Sequence, residues 1–285
     1  MQVERSSRQG LMRVIALAGL CTMALAVIGP AKAQTPSPLG EWQYSAGEVL
    51  RKRFDPNPPH WEALLGGGGE VLPRFEGSNA YYVEPGPVID IRYRDLAFLS
   101  TGEGLGINLL HSINYRAGIA LTYDLGRNEG DYYRFGEHNL SAATSPKIFA
   151  EYVLFPVIVR ADVRHNIGGV GGWIGDLSAY MPVAGNDKFF IFAGATLTIA
   201  NNTYMNNDFG VTSQEAKITG QAVYDPGGGL KSVGVGTNMT YILDQHWFLN
   251  AVFAATTLLG PAARSPDTET KFQGAASLNV AYDFR

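Results

Sequence analysis

From Gly66 onward, apolar and polar positions alternate with a period of two. Near the C-terminal end Phe272, Gly274, Ala276, Leu278, Val280, Tyr282 and Phe284 alternate with Gln273, Ala275, Ser277, Asn279, Ala281 and Asp283. In the middle, Tyr115, Ala117, Ile119, Leu121, Tyr123 and Leu125 alternate with Arg116, Gly118, Ala120, Thr122 and Asp124. A third run sets Val157, Val159, Ala161 and Val163 against Ile158, Arg160, Asp162 and Arg164. Successive side chains of a strand point to opposite faces, so each run predicts a strand with one apolar and one polar or small face. Soluble strands average about 5–6 residues, whereas crossing a bilayer at a tilt takes about 9–11. The pattern predicts twelve strands, at 66–75, 79–93, 95–101, 104–113, 115–126, 146–155, 157–167, 172–183, 188–200, 228–243, 246–259 and 271–284.

The connections divide by parity. The even ones are tight: Arg94–Asp95, Asn114, Pro156, Ala184–Asp187 and Asp244–Gln245. The odd ones run longer, with 19 residues at 127–145, 27 at 201–227 and 11 at 260–270. Loops beyond about 12–15 residues are uncommon in compact soluble domains. Alternating long loops and short periplasmic turns are what a membrane barrel shows, and the parity is expected to put both termini on the periplasmic side. A sheet crossing lipid must close on itself, because hydrocarbon cannot satisfy an open strand edge. The expected fold is therefore an all-β, transmembrane antiparallel β-barrel of about 12 strands over 66–285. Aromatics near strand ends (Tyr93, Phe98, Tyr123, Phe155, Tyr180, Phe189, Phe190, Trp247, Tyr282 and Phe284) are expected in interfacial girdles.

The segment before the barrel reads as an address and an arm. Arg5, Arg8 and Arg13 precede an apolar stretch from Val14 to Ile28; Gly29-Pro30 breaks it, and Ala31-Lys32-Ala33 offers small residues for cleavage. Residues 1–33 are expected to be a signal peptide, since the stretch is short for a transmembrane helix. Residues 34–65 hold Asp55-Pro56-Asn57-Pro58-Pro59, which suits neither helix nor central strand, and are expected to form an irregular periplasmic arm.

Composition agrees with alternation between two solvents. Of 285 residues 46% are hydrophobic and 17% charged, with a mean hydropathy of -0.03, so opposite faces average out near zero. The 34 glycines suit turns and barrel curvature. The net charge of -4 offers no basic surface for nucleic acid. The one cysteine, Cys21, lies in the signal segment, so no disulfide staples the barrel.

Candidate chemistry is sparse. His60, His111, His138, His165 and His246 show no metal-ligand spacing, and no cofactor is expected. Gly66–Gly69 and Gly102-x-Gly104-x-Gly106 lack the residues and the following helix that nucleotide loops need. No Gly-x-Ser-x-Gly elbow occurs, and the adjacent His111 and Ser112 would face opposite sides of one strand. No catalytic residue is assigned. The remaining candidates are the charges of non-lipid parity: Asp90, Arg92, Arg116, Asp124, Glu151, Arg160, Asp162 and Arg164, with Arg94, Asp176 and Lys231. A basic residue facing lipid at the midplane costs about 2–4 kcal/mol. These charges are therefore expected to face the lumen, either as a closing ion-pair network or as a solute-selecting lining.

Several motifs resemble one family. Arg74-Phe75-Glu76-Gly77-Ser78, followed by Tyr81-Tyr82 and Glu84-Pro85, is similar to the opening pattern of the MipA/OmpV family. Tyr204 with Phe209-Gly210-Val211-Thr212 resembles a later loop of that family. Asp225-Pro226-Gly227-Gly228-Gly229-Leu230, Arg264-Ser265-Pro266 and the closing Tyr282-Asp283-Phe284 continue the pattern in order. Two departures stand out: Asn206-Asn207-Asp208 where an aromatic is expected, and Arg285 after the aromatic that usually ends a barrel-assembly signal. The resemblance implies an outer-membrane barrel of a Gram-negative bacterium, embedded in outer-membrane lipid. It also implies a scaffolding role toward murein hydrolase or synthase complexes, with porin-like and adhesive relatives. The expectation is a non-enzymatic outer-membrane barrel of this type; the alternatives are a porin-like small-solute channel, an outer-membrane lipid hydrolase and a soluble sandwich.

Overall fold

The computed structural model describes residues 60–124 and 143–284. Twelve antiparallel staves close into a barrel: β1 Trp61–Pro73, β2 Tyr81–Tyr93, β3 Ala97–Ser100, β4 Gly104–His111, β5 Tyr115–Asp124, β6 Ala143–Leu154, β7 Val157–His165, β8 Trp173–Gly185, β9 Phe189–Ala200, β10 Gly229–Ile242, β11 Trp247–Leu258 and β12 Phe272–Phe284. Each pairs with its sequence neighbours, and β1 pairs with β12 from Ala63↔Phe284 to Val71↔Ala276, which closes the ring. A two-residue strand, Ile167–Gly168, adds a short pairing to Ala143 and Thr144 of β6. The expected signal peptide and most of the arm lie outside the described residues. The arm's last residues do not stay irregular, however: β1 begins at Trp61, pairs along its whole length with β2, and carries Gly66–Gly69 as strand.

The glycine run has a packing reason. A Cβ on Gly66 would strike the Val280 carbonyl and Ala281, and one on Gly68 would strike the Leu278 carbonyl and Asn279. The seam between β1 and β12 thus has no room for side chains at these two positions. Gly67 differs, since a Cβ there meets only the Gly86 carbonyl at 3.6 Å.

Connection lengths follow the expected parity. At one end lie residues 94–96, 112–114, 155–156, 186–188 and 243–246. At the other lie 74–80, 166–172, 201–228 and 259–271, with a single short hairpin turn at 101–103. That hairpin is short because β3 has only four residues. It pairs with β2 over Asp90–Tyr93 alone, so Tyr81–Ile89 has no strand neighbour on that side among the described residues. Thr101 closes the ladder by hydrogen bonding both the N–H and the carbonyl of Ile89. Pro85 and Pro87 share the parity of Ile89, so their nitrogens face the same side and lack a proton to leave unsatisfied, as suits a strand edge.

Along the staves, exposure alternates as a lipid-embedded sheet requires. Val83, Ile119, Ile148, Leu177, Val235 and Leu278 are exposed on the outer face, while Asp90, Arg116, Glu151, Arg160 and Asn279 are buried on the inner one. A water-soluble surface does not carry such a continuous apolar belt. Tyr123, Phe155, Trp247 and Phe284 are exposed near strand ends and Tyr93 is half-buried there, joined by the exposed Trp61 and Tyr115. Two of the girdle expectations fail. Phe98 and Tyr180 are buried on the inner face, Phe98 edge-on to Phe149 at 5.8 Å and Tyr180 donating its hydroxyl to Glu151.

Candidate functional site

Parity carries the charges of several staves inward, and within the closed barrel they pair with one another. Arg92 on β2 reaches Asp90 at 2.8 Å and Glu103 at 2.6 Å. Arg116 on β5 and Arg160 on β7 each reach Glu103 at 2.6 Å. Arg116 also reaches Glu151 on β6 at 3.2 Å, and Tyr180 on β8 donates to the same carboxylate at 3.1 Å. The guanidinium of Arg92 lies over Phe98 at 5.4 Å, and those of Arg116 and Arg160 lie over Phe149 at 5.6 and 5.4 Å. Glu103, at 0% exposure, is the hub. Buried charges persist only when paired and hydrogen bonded, and three charge-assisted bonds to one carboxylate meet that need.

A second group sits beside it. Arg164 on β7 bridges Asp162 at 3.0 Å and Asp176 of β8 at 2.6 Å, and Thr198 of β9 donates to Asp176. Asp162 and Asp176 are direct cross-strand partners, so the intervening guanidinium offsets a like-charge contact.

Of the candidates read from the sequence, Asp90, Arg92, Arg116, Glu151 and Arg160 meet in the first group, and Asp162, Arg164 and Asp176 in the second. Asp124 ends β5, and its side chain lies outside the described residues. Arg94 is not on the strand face: it starts the β2–β3 turn with φ 49°, is exposed, and lays its guanidinium over Tyr93 while contacting His60. Sequence reading missed Glu103 because it sits in the β3–β4 turn, where strand parity says nothing. Its signal was being the sole acid between Asp95 and Asp124, held between two glycines. Lys147, buried on β6, was also missed.

The long-loop end carries a folded cap. Two helices, α1 Asn202–Phe209 and α2 Ser213–Thr219, are started by Asn201 and by a Thr212/Glu215 capping box. Tyr204, Met205 and Phe209 of α1 pack with Val170, Ile174, Ala200, Leu258 and Ala262. Beneath them Lys231 of β10 bonds both oxygens of Glu76 at 2.6 Å and lies 5.6 Å from the Tyr204 ring centroid. Burial pushes the Glu76 carboxyl above its ordinary value; Lys231 opposes the rise and Asp208 adds to it. At the short-turn end, Asp244 accepts from the backbone N–H groups of His246 and Trp247, which hold its carboxyl below the ordinary value.

His111 lies 3.4 Å from Asp95, but Ser112 forms the turn to Tyr115 through its backbone. Among the described residues, no group of three or more His, Cys, Asp or Glu side chains is placed to hold a metal ion.

The description "MltA-interacting protein MipA" matches residues 65–284, from within β1 to the end of β12. The chain belongs to the MipA family. No match to a curated protein was found. Among solved structures, an outer membrane channel from Pseudomonas putida F1 is similar at 10% identity and a TM-score of 0.41, over 81% of this chain and 98% of that one. The NanC porin is similar at 8% identity and a TM-score of 0.39, over 78% and 98%. OmpT of Vibrio cholerae is similar at 10% identity and a TM-score of 0.34, over 79% and 97%.

In this MipA-family chain, motifs scattered over the sequence meet at the cap. Glu76 takes the Lys231 ion pair, and Gly77 (φ 99°) lets the 74–80 loop pass Thr268. Tyr204 and Phe209 fill the cap core, and Ser265 donates to the Phe209 carbonyl at 2.6 Å. Where the family pattern has an aromatic, Asn207 bonds the Val170 carbonyl at 2.6 Å. The protein is an outer-membrane barrel, and Glu76, Tyr204, Phe209 and Ser265 of its family-like motifs hold the cap together.

Proposed function

We propose that this chain is exported by a removed signal peptide and works as a non-enzymatic scaffold in the outer membrane. Its short-turn rim and N-terminal arm would face the periplasm and hold murein hydrolase or synthase complexes there. The observation that carries this reading is the mutual pairing of the inner-face charges. Arg92, Arg116, Arg160, Glu103 and Glu151 pair with one another at 2.6–3.2 Å, all but the half-buried Arg92 being buried, which supports a closed lumen over a charged aqueous path. The family description, which names an interaction with MltA, supports the murein direction. Affinity capture of the tagged barrel from detergent-solubilised envelopes tests the scaffold. A murein hydrolase or synthase enriched over an unrelated barrel is expected; equal recovery from both would refute it.

A further inference from the structure

We propose that Arg92, Arg116 and Arg160 form a binding site for a small carboxylate solute, and that the chain fills this site with its own Glu103. Three guanidinium groups from three separate staves each place a nitrogen 2.6 Å from one carboxylate. Such convergence of planar forks is the arrangement by which proteins recognise a carboxylate ligand. Phe98 and Phe149, both buried, back the guanidinium planes and fix their direction. Arg116 Nε is buried with no hydrogen-bond partner, so the cage holds a donor that Glu103 does not use.

Glu103 is delivered in the manner of a tethered ligand. It stands at the tip of the shortest hairpin of the barrel, behind a four-residue strand, with Thr101 bonding Ile89 as the last rung on the β2 side. Residues 101–103 at this tip lie outside the β3 and β4 strands, so its local opening needs less than unfolding of the barrel. A solute carboxylate entering the cage replaces the Glu103 bonds one for one, and the hairpin tip moves aside.

Two measurements test this. Glu103→Ala removes the atoms of one acetate, and the temperature at which the folded gel band is lost should fall. Acetate should restore that temperature toward the parent value, and sodium chloride of equal ionic strength should not. Gly102→Cys, in a chain that retains Glu103, reports tip displacement, because the only other cysteine is Cys21 in the signal segment. Its labelling by a polar thiol reagent is expected to rise several-fold and saturate with acetate, with no rise in chloride. Acetate-specific rescue together with saturable labelling supports the site. Labelling that stays flat in acetate overturns it whatever Glu103→Ala does, since Glu103 would then be a fixed structural anchor. Absence of acetate-specific rescue in a folded Glu103→Ala barrel overturns it equally.

Discussion

Glu76 and Lys231 show how one ion pair can fasten a loop to a barrel wall. The ammonium is almost fully enclosed, and both carboxylate oxygens sit 2.6 Å from it. Removing one partner of a buried pair costs about 3–5 kcal/mol, because the other charge stays desolvated, whereas removing both costs much less. Lys231→Met is therefore expected to lower barrel stability by about that amount, and the Glu76→Gln/Lys231→Met double variant to regain most of it. Urea unfolding in detergent micelles checks this; additive losses would mean that the two side chains act independently. Asp244 makes a pH prediction at the same scale. Its carboxylate is held below the ordinary value of 3.8 by two backbone N–H groups. The turn gains stability above the unfolded-state value and loses it as pH falls through the lower folded value. The Trp247 amide resonance should titrate with a midpoint below 3.8, and Asp244→Asn should abolish that titration; a midpoint at or above 3.8 contradicts the assignment.

Among the elements, β1 and the β3–β4 hairpin were hardest to read and hold the less ordinary geometry. Period-two alternation marked β5, β7 and β12 plainly, because their side chains face lipid on one side and packed polar groups on the other. It fails at Trp61–Leu65, where neither face is clearly polar, and β1 starts five residues before the alternation does. Gly66–Gly69 carries no side-chain signal at all, yet the backbone approach at the β1–β12 seam demands Gly66 and Gly68. This yields a contrast within one strand. Gly68→Ala should prevent closure and remove most of the heat-modifiable folded band in membranes, while Gly67→Ala should fold as the parent does. Equal folding of both variants would mean that the seam is not tightly closed. The hairpin hid Glu103 for a different reason: the residue's direction is set by a three-residue turn, and turns have no face parity.

For the whole molecule, strand number, closure and loop parity were legible because the bilayer imposes them through backbone hydrogen bonding and side-chain period. The inward charges Asp90, Arg92, Arg116, Glu151, Arg160, Asp162 and Arg164 were legible on the same grounds. Their partners were not, since Arg116 and Arg160 meet Glu103 only once β5 and β7 curve toward the hairpin. Nor was the cap, whose core joins Val170, Tyr204, Leu258 and Ala262 from loops and strand ends far apart in sequence. A barrel whose inner charges pair with one another, and whose 201–228 and 259–271 connections pack together at one end, should not pass ions. Planar-bilayer recording of the purified, folded protein tests this most directly. The expected trace stays at the baseline of the protein-free membrane across the voltage range, and reproducible conductance steps from folded protein would contradict the closed lumen.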